Sequence, residues 1–112
     1  MQLALCYYYD PATDGPTEGE IPEWMDFAAK VKDAGVLVYE VGFHSAETAK
    51  TLSARDGRVT TEDGGVAKSG DVLAGLVVVD VPDVDAALDW AQRIPTARYG
   101  KIEVRPVVEW EG

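Results

Sequence analysis

The alternation of apolar and polar positions divides the chain into strands and helices before any motif is considered. Gln2 to Tyr9 sets Leu3, Leu5, Tyr7 and Tyr9 on one face and Ala4, Cys6 and Tyr8 on the other, the period of a β-strand covered on both sides. Asp10 to Gly19 interrupts that rhythm with Pro11, Asp14, Gly15, Pro16 and Gly19 and reads as an exposed loop. Trp24, Phe27, Ala28, Val31 and Ala34 then recur at helical spacing, with Pro22 suited to the first turn and Gly35 to a left-handed cap. Val36 to Phe43 is a β-rich run expected to form a buried strand. Glu47 to Glu62 predicts two short strands folded about Asp56-Gly57, a dipeptide favoured in tight hairpins.

A polar, glycine-rich loop from Asp63 to Gly75 leads into Leu73 to Val81, the most apolar run of the chain and the expected central strand. Asp83 is placed to cap a second helix, in which Val84, Ala87, Leu88, Ala91 and Ile94 form the expected buried stripe. Asp83 and Asp85 suit the positive end of its dipole, Arg93 suits the negative end, and Pro95 stops it. Lys101 to Glu109 alternates Ile102, Val104, Pro106 and Val108 against Glu103, Arg105, Val107 and Glu109. Pro106 cannot donate to a ladder, so this last strand is expected at an edge.

The order strand, helix, strand, hairpin, strand, helix, strand predicts an α+β fold of the ferredoxin-like, split βαβ type with an inserted hairpin, in one domain over residues 1–112. Two helices cover one face of such a sheet. Strands that look apolar on both sides therefore predict a second sheet against the other face, most simply from another copy, so a homodimer packed through sheet faces is expected.

Composition narrows the partners. Twenty acidic residues against ten basic ones give a formal net charge of −10, and the first 29 residues carry six carboxylates and no Lys or Arg. That balance repels phosphate backbones and anionic lipids, so neither nucleic acid nor a membrane surface is expected as a partner. Lys50, Arg55, Arg58 and Lys68 cluster in sequence, but Asp56, Glu62, Asp63 and Asp71 interleave with them. No apolar stretch approaches the roughly 20 residues of a spanning helix. Met1 to Tyr9 lacks the basic start of a secretory signal, and the expected compartment is the cytoplasm. The single Cys6, in an apolar run, reads as an inert thiol.

Several motifs fail on inspection. Asp10, Asp14 and Gly15 match the first, fifth and sixth positions of a calcium loop, but Ala12 and Ile21 stand where ligands are required. The run Asp63 to Gly70 has glycines, a Lys and a Ser, yet its spacing is wrong for a phosphate-binding loop and a strand follows it rather than a helix, so it reads as a turn. One His and one Cys leave too few ligands for zinc, and no cofactor is implied. Ser45 and Ser69 lack the surroundings of a nucleophile. His44 is the only histidine. It reads either as a surface residue or as a general base oriented by Glu47 or Asp63.

Read as a whole, the second half resembles the YCII-related, or DGPF, family of the dimeric α/β-barrel superfamily. Asp56-Gly57-Arg58 resembles that family's hairpin, Asp63-Gly64 the start of its Asp-Gly-Pro-Phe motif, and Leu73-Ala74-Gly75 the end of that loop. Asp85 to Ile94 resembles its second helix. Ala97-Arg98-Tyr99-Gly100 with Glu103-Val104-Arg105-Pro106-Val107 resembles its C-terminal signature. Gly65-Val66 stands where the family has Pro-Phe, which removes an aromatic wall from the loop, and Lys68 stands where it has an acid. Ile21 to Phe27 contains none of the histidine that some relatives carry at the start of the first helix, so the His-Asp chemistry proposed for them does not transfer.

The resemblance implies a dimeric α/β-barrel assembly and a small-molecule site; some relatives act on lactone-type compounds, and most have no assigned activity. The expected function is an accessory or regulatory homodimer binding a small molecule between sheet and helices. Asp63 and Asp71 are its expected hydrogen-bond acceptors, Arg105 its anion-pairing group, Tyr7 a lining residue and His44 its proton carrier. Two rivals stand beside it: a small lyase, isomerase or oxygenase acting on a hydrophobic carbonyl or lactone compound, and a pure protein-interaction module.

Overall fold

The computed structural model describes residues 1–13 and 15–110; Asp14, assigned above to the turn-rich loop, lies outside them. Its elements are β1 (Gln2–Tyr9), α1 (Glu20–Asp33), β2 (Leu37–Gly42), β3 (Lys50–Arg55), β4 (Arg58–Asp63), β5 (Val72–Asp80), α2 (Val84–Ala91) and β6 (Lys101–Pro106). Short 3-10 turns occupy Ala46–Thr48 and Pro95–Arg98. Four strands form one antiparallel sheet in the order β2-β5-β1-β6, while β3 and β4 pair only with each other. The fold is thus α+β, with the strand order of a ferredoxin-like split βαβ and the expected hairpin inserted after β2.

Period-two burial along β1 and β5 shows which face meets the helices. Leu3 lies opposite Val79 and Leu5 opposite Val77, and these four side chains are buried together with Phe27 and Val31 of α1 and Ala87 and Ala91 of α2. Each large side chain so buried contributes about 1.5–3 kcal/mol, which is what fixes the helices on this face. Gly35, at φ +74°, stops α1 as expected. Asp83 accepts a 2.8 Å hydrogen bond from the Ala86 amide and starts α2. The hairpin turns through Asp56 and Gly57, at φ 54° and 75°. These left-handed values at both central residues match the twist of the flanking strands.

Two expectations about burial change. Val36 to Phe43 is not a buried strand: β2 is an edge, paired only with β5, and Val38, Tyr39 and Phe43 are exposed. Val84 and Leu88 leave the expected stripe of α2 and face solvent, because Ala87 and Ala91 make the close approach to the sheet. Trp90 fills the flank instead, edge-on to Phe27 at 6.3 Å with the Arg93 guanidinium 4.7 Å from its ring centre. As expected of two helices, they cover only one face of the sheet. Ala4, Cys6 and Tyr8 of β1, Leu76 and Val78 of β5, and Tyr39 and Val41 of β2 share the opposite face, where no element among the described residues packs.

β6 is an edge strand, as its proline predicts. No helix among the described residues is long and apolar enough to cross a membrane.

Candidate functional site

Two short segments rise at the Tyr8 end of the uncovered sheet face and form a groove between them. The first follows β2. Its Phe43 amide donates to the Ala74 carbonyl at 2.8 Å, anchoring it to the sheet, and Thr48 Oγ1 donates to the Ser45 carbonyl at 2.7 Å, closing the 3-10 turn. The second runs from Gly64 to Asp71. The Gly64 amide donates to the Ala49 carbonyl and Thr51 Oγ1 to the Gly64 carbonyl, each at 2.8 Å, so this loop is tied to the base of the hairpin.

The groove measures about 710 Å³ and is lined by Tyr8, Phe43, Ala46, Val66 and Leu73 together with His44 and Asp71. Its wall is therefore mostly apolar with a few polar atoms, in the size range of small-molecule sites. Val66 forms part of that wall.

The expected site residues are dispersed around this groove. His44 and Asp71 both line it. Asp71 also receives a 3.0 Å hydrogen bond from Lys101 Nζ, which leaves its second oxygen available. Asp63 sits at the end of β4, 86% exposed in its side chain and paired with Lys50. It is thus held by a lysine, and among the described residues no hydrogen bond joins it to His44. Arg105 is on the uncovered face but opposite Ala4, whereas the groove lies beside Tyr8, four residues and about 13 Å away along the strand. Tyr7 points through to the helix side, where its hydroxyl donates to the Val41 carbonyl at 3.3 Å and its ring packs 5.0 Å from that of Trp24. Tyr8, its neighbour, is the tyrosine in the groove.

The space between sheet and helices, expected to hold a ligand, contains the buried core side chains of Leu3, Leu5, Phe27, Val31, Val77 and Val79. Tyr7 fills part of it by lying against Gly75, where a β-carbon would stand 2.1 Å from the Tyr7 hydroxyl. Burial, and then the Glu40 carboxylate, push the Tyr7 phenol up. On the uncovered face, burial and then Glu103 raise the Cys6 thiol while Arg105 opposes them, and the same carboxylate accepts a 3.3 Å hydrogen bond from Tyr8.

One polar cluster has no precursor among the expected site residues. Glu20, the first residue of α1, is only 5% exposed. Its Oε2 accepts from Trp24 Nε1 at 3.0 Å and from the Tyr99 hydroxyl at 3.1 Å, while Oε1 is buried without a partner. Tyr9 packs edge-on to Tyr99 at 5.9 Å. Burial first, then the bond to Glu20, push Tyr99 up to about 12. Beside it Arg98 embraces Glu23, with Nη1 2.8 Å from Oε1. The Arg98-Tyr99 pair of the C-terminal signature thus clamps the 3-10 turn to the start of α1. The signal in sequence was the four-residue spacing of Glu20 and Trp24, which is easily lost beneath the apolar period.

Lys68 is committed within its own loop, 3.5 Å from Glu62 and donating to the Asp63 carbonyl, as expected of a turn rather than an anion cradle. Among the described residues no group of three or more His, Cys, Asp or Glu side chains is arranged to hold a metal. The family model described as YCII-related domain matches residues 1–111 of the chain. No curated protein matches it.

Proposed function

The chain belongs to the YCII-related domain family, and we propose that it works as a cytoplasmic, single-domain homodimer that binds a small apolar molecule in the groove beside Tyr8. The observation that carries this reading is the groove itself: a concave, mostly apolar surface of about 710 Å³ with only His44, Asp71 and a few hydroxyls to orient a ligand. A compound with a hydrophobic body and one carbonyl or hydroxyl fits that lining. Its polar atom would meet His44 or the open oxygen of Asp71.

Binding is favoured over catalysis because, among the described residues, no hydrogen bond holds the His44 imidazole, and Asp63, one of the carboxylates expected to orient it, is paired with Lys50. A general base needs a group that holds its imidazole in one orientation, and the described residues supply no such bond to His44. The homodimer rests on the uncovered sheet face, where Ala4, Leu76, Val78, Tyr39 and Val41 form an apolar surface. In the family's dimeric α/β-barrel arrangement, a second sheet lies on that face.

A neutral fluorescent apolar dye such as Nile red tests the groove directly. Wild-type protein should enhance and blue-shift its emission with saturable binding, and Leu73→Asp should abolish that change while leaving the melting temperature within a few degrees. Equal dye binding by the variant would place the site elsewhere.

A further inference from the structure

The segment after β6 presents an aromatic side chain to water. Val107 extends the strand pairing by donating to the Gln2 carbonyl at 2.9 Å. Beyond it Val108 is 68% exposed and Trp110 is 88% exposed. Tryptophan buries more apolar area than any other side chain and is the residue most enriched at the energetic centres of interfaces, so its display here calls for a covering surface.

The fold limits where that surface can be. β6 runs antiparallel to β1, so residues 107–110 leave the sheet at the Gln2 end, while the groove opens at the Tyr8 end. Six residues of β1 separate the two ends, about 20 Å. Residues 108–110 extend about 10 Å at most, so Trp110 cannot reach the groove of its own chain. It can reach that of a second copy. Sheets packed face to face lie about 10 Å apart, within the reach of the segment. A two-fold axis lying between the faces and perpendicular to the strands sets the Gln2 end of one copy over the Tyr8 end of the other, and the contact then occurs twice.

We infer that Trp110 of each protomer docks into the apolar groove of its partner and completes the small-molecule site across the dimer. The chemistry of the groove fits an indole. Tyr8, Phe43 and Leu73 offer apolar and aromatic contact, and Asp71 offers an acceptor for the indole N–H. An indole occupies only part of a 710 Å³ groove, so it acts as a wall against which a small ligand rests. The ligand and the second copy would then stabilise one another, because each completes the surface the other needs. This inference rests on the homodimer proposed above and adds the identity of the residue that crosses it and the direction of the axis.

Light scattering and tryptophan emission on the full chain test it together. At a concentration where the mass is dimeric, the wild-type spectrum minus that of Trp110→Phe should be blue-shifted and resistant to acrylamide quenching. Trp110→Ala should weaken the dimer about ten- to a hundredfold. In a Cys6→Ser background, a mixture of the Trp110→Cys and Val66→Cys chains should form an inter-chain disulfide on mild oxidation, whereas Trp110→Cys mixed with Val59→Cys, on the hairpin, should not. A dimeric mass with a solvent-like Trp110 spectrum and no selective crosslink would overturn the tryptophan contact and leave the dimer intact. A monomeric mass at every concentration would overturn both.

Discussion

Single residues explain why the signature segments are built as they are. Gly75 ends the loop motif at the point where Tyr7 crosses from β1 to lie against β5, and a β-carbon there would also stand 2.4 Å from the Val41 carbonyl. Neither backbone nor a packed ring can yield that distance, so Gly75→Ala should destabilise the protein by about 1–3 kcal/mol, the usual cost of overpacking. Urea unfolding reads this as a lower midpoint at unchanged slope, and Tyr7→Leu in the same background should restore part of the loss. Full stability in Gly75→Ala would show that the Tyr7 ring lies elsewhere.

Tyr99 gives a second prediction. Its phenol is raised from 10.0 to about 12 in the folded protein, first by burial and then by the Glu20 carboxylate. The unfolded chain therefore loses this proton first as pH rises. The stabilising contribution is complete below pH 10 and is lost between 10 and about 12. Tyr99→Phe cannot ionise, so a plot of unfolding free energy against pH should fall less steeply for the variant in that window. Parallel curves for the two proteins would refute a raised Tyr99.

At the level of elements, the sheet and the hairpin differ in what holds them. β1 and β5 are central strands with ladders on both sides and a buried face, whereas β3 and β4 pair only with each other and every residue but Thr51 is exposed. An isolated hairpin of this kind is marginal by itself, so its amides should open locally rather than with the whole molecule. Hydrogen exchange should thus be faster by orders of magnitude over residues 50–63 than over residues 2–9 and 72–80. Equal protection would mean that another surface covers the hairpin.

The same comparison shows what the sequence could convey. The alternation in β1, the Asp56-Gly57 turn, the Asp83 cap and the glycine after α1 are local, and each specifies its element through its own chemistry. Alternation separates two faces but does not say which of them receives the helices. Tyr7 and Tyr8 were therefore indistinguishable until packing placed Tyr7 inside and Tyr8 in the groove. β2 read as buried because apolar runs at an edge and in a centre look alike. The groove depends on residues 43–49 and 64–73 meeting through the ties of Gly64 and Phe43, a non-local pairing with no period to betray it. Glu20 was hidden for a similar reason, since one of its partners, Tyr99, is 79 positions away.

For the whole molecule, the uncovered face and the charge act against each other. Leu76, Val78, Tyr39 and Val41 favour association, and introducing a charge there by Val78→Asp should convert a dimer to a species of 12.1 kDa with little loss of protomer stability. Two copies that each carry −10 repel one another over the whole surface. The β6 rim carries Lys101, Glu103 and Arg105, a mixed set, and Lys101 already serves Asp71 while Glu103 accepts from Tyr8. Lys101 is thus neutralised by Asp71, and the opposite charges of Glu103 and Arg105 cancel, so the rim carries no net charge to offset that repulsion. Screening should then remove more repulsion than attraction, and raising ionic strength from about 0.02 to about 0.5 M, which shortens the Debye length severalfold, should tighten the dimer. Sedimentation equilibrium across that salt range reads the dissociation constant. A dimer that loosens with salt would mean that ion pairs across the interface, rather than the apolar face, hold the two copies together.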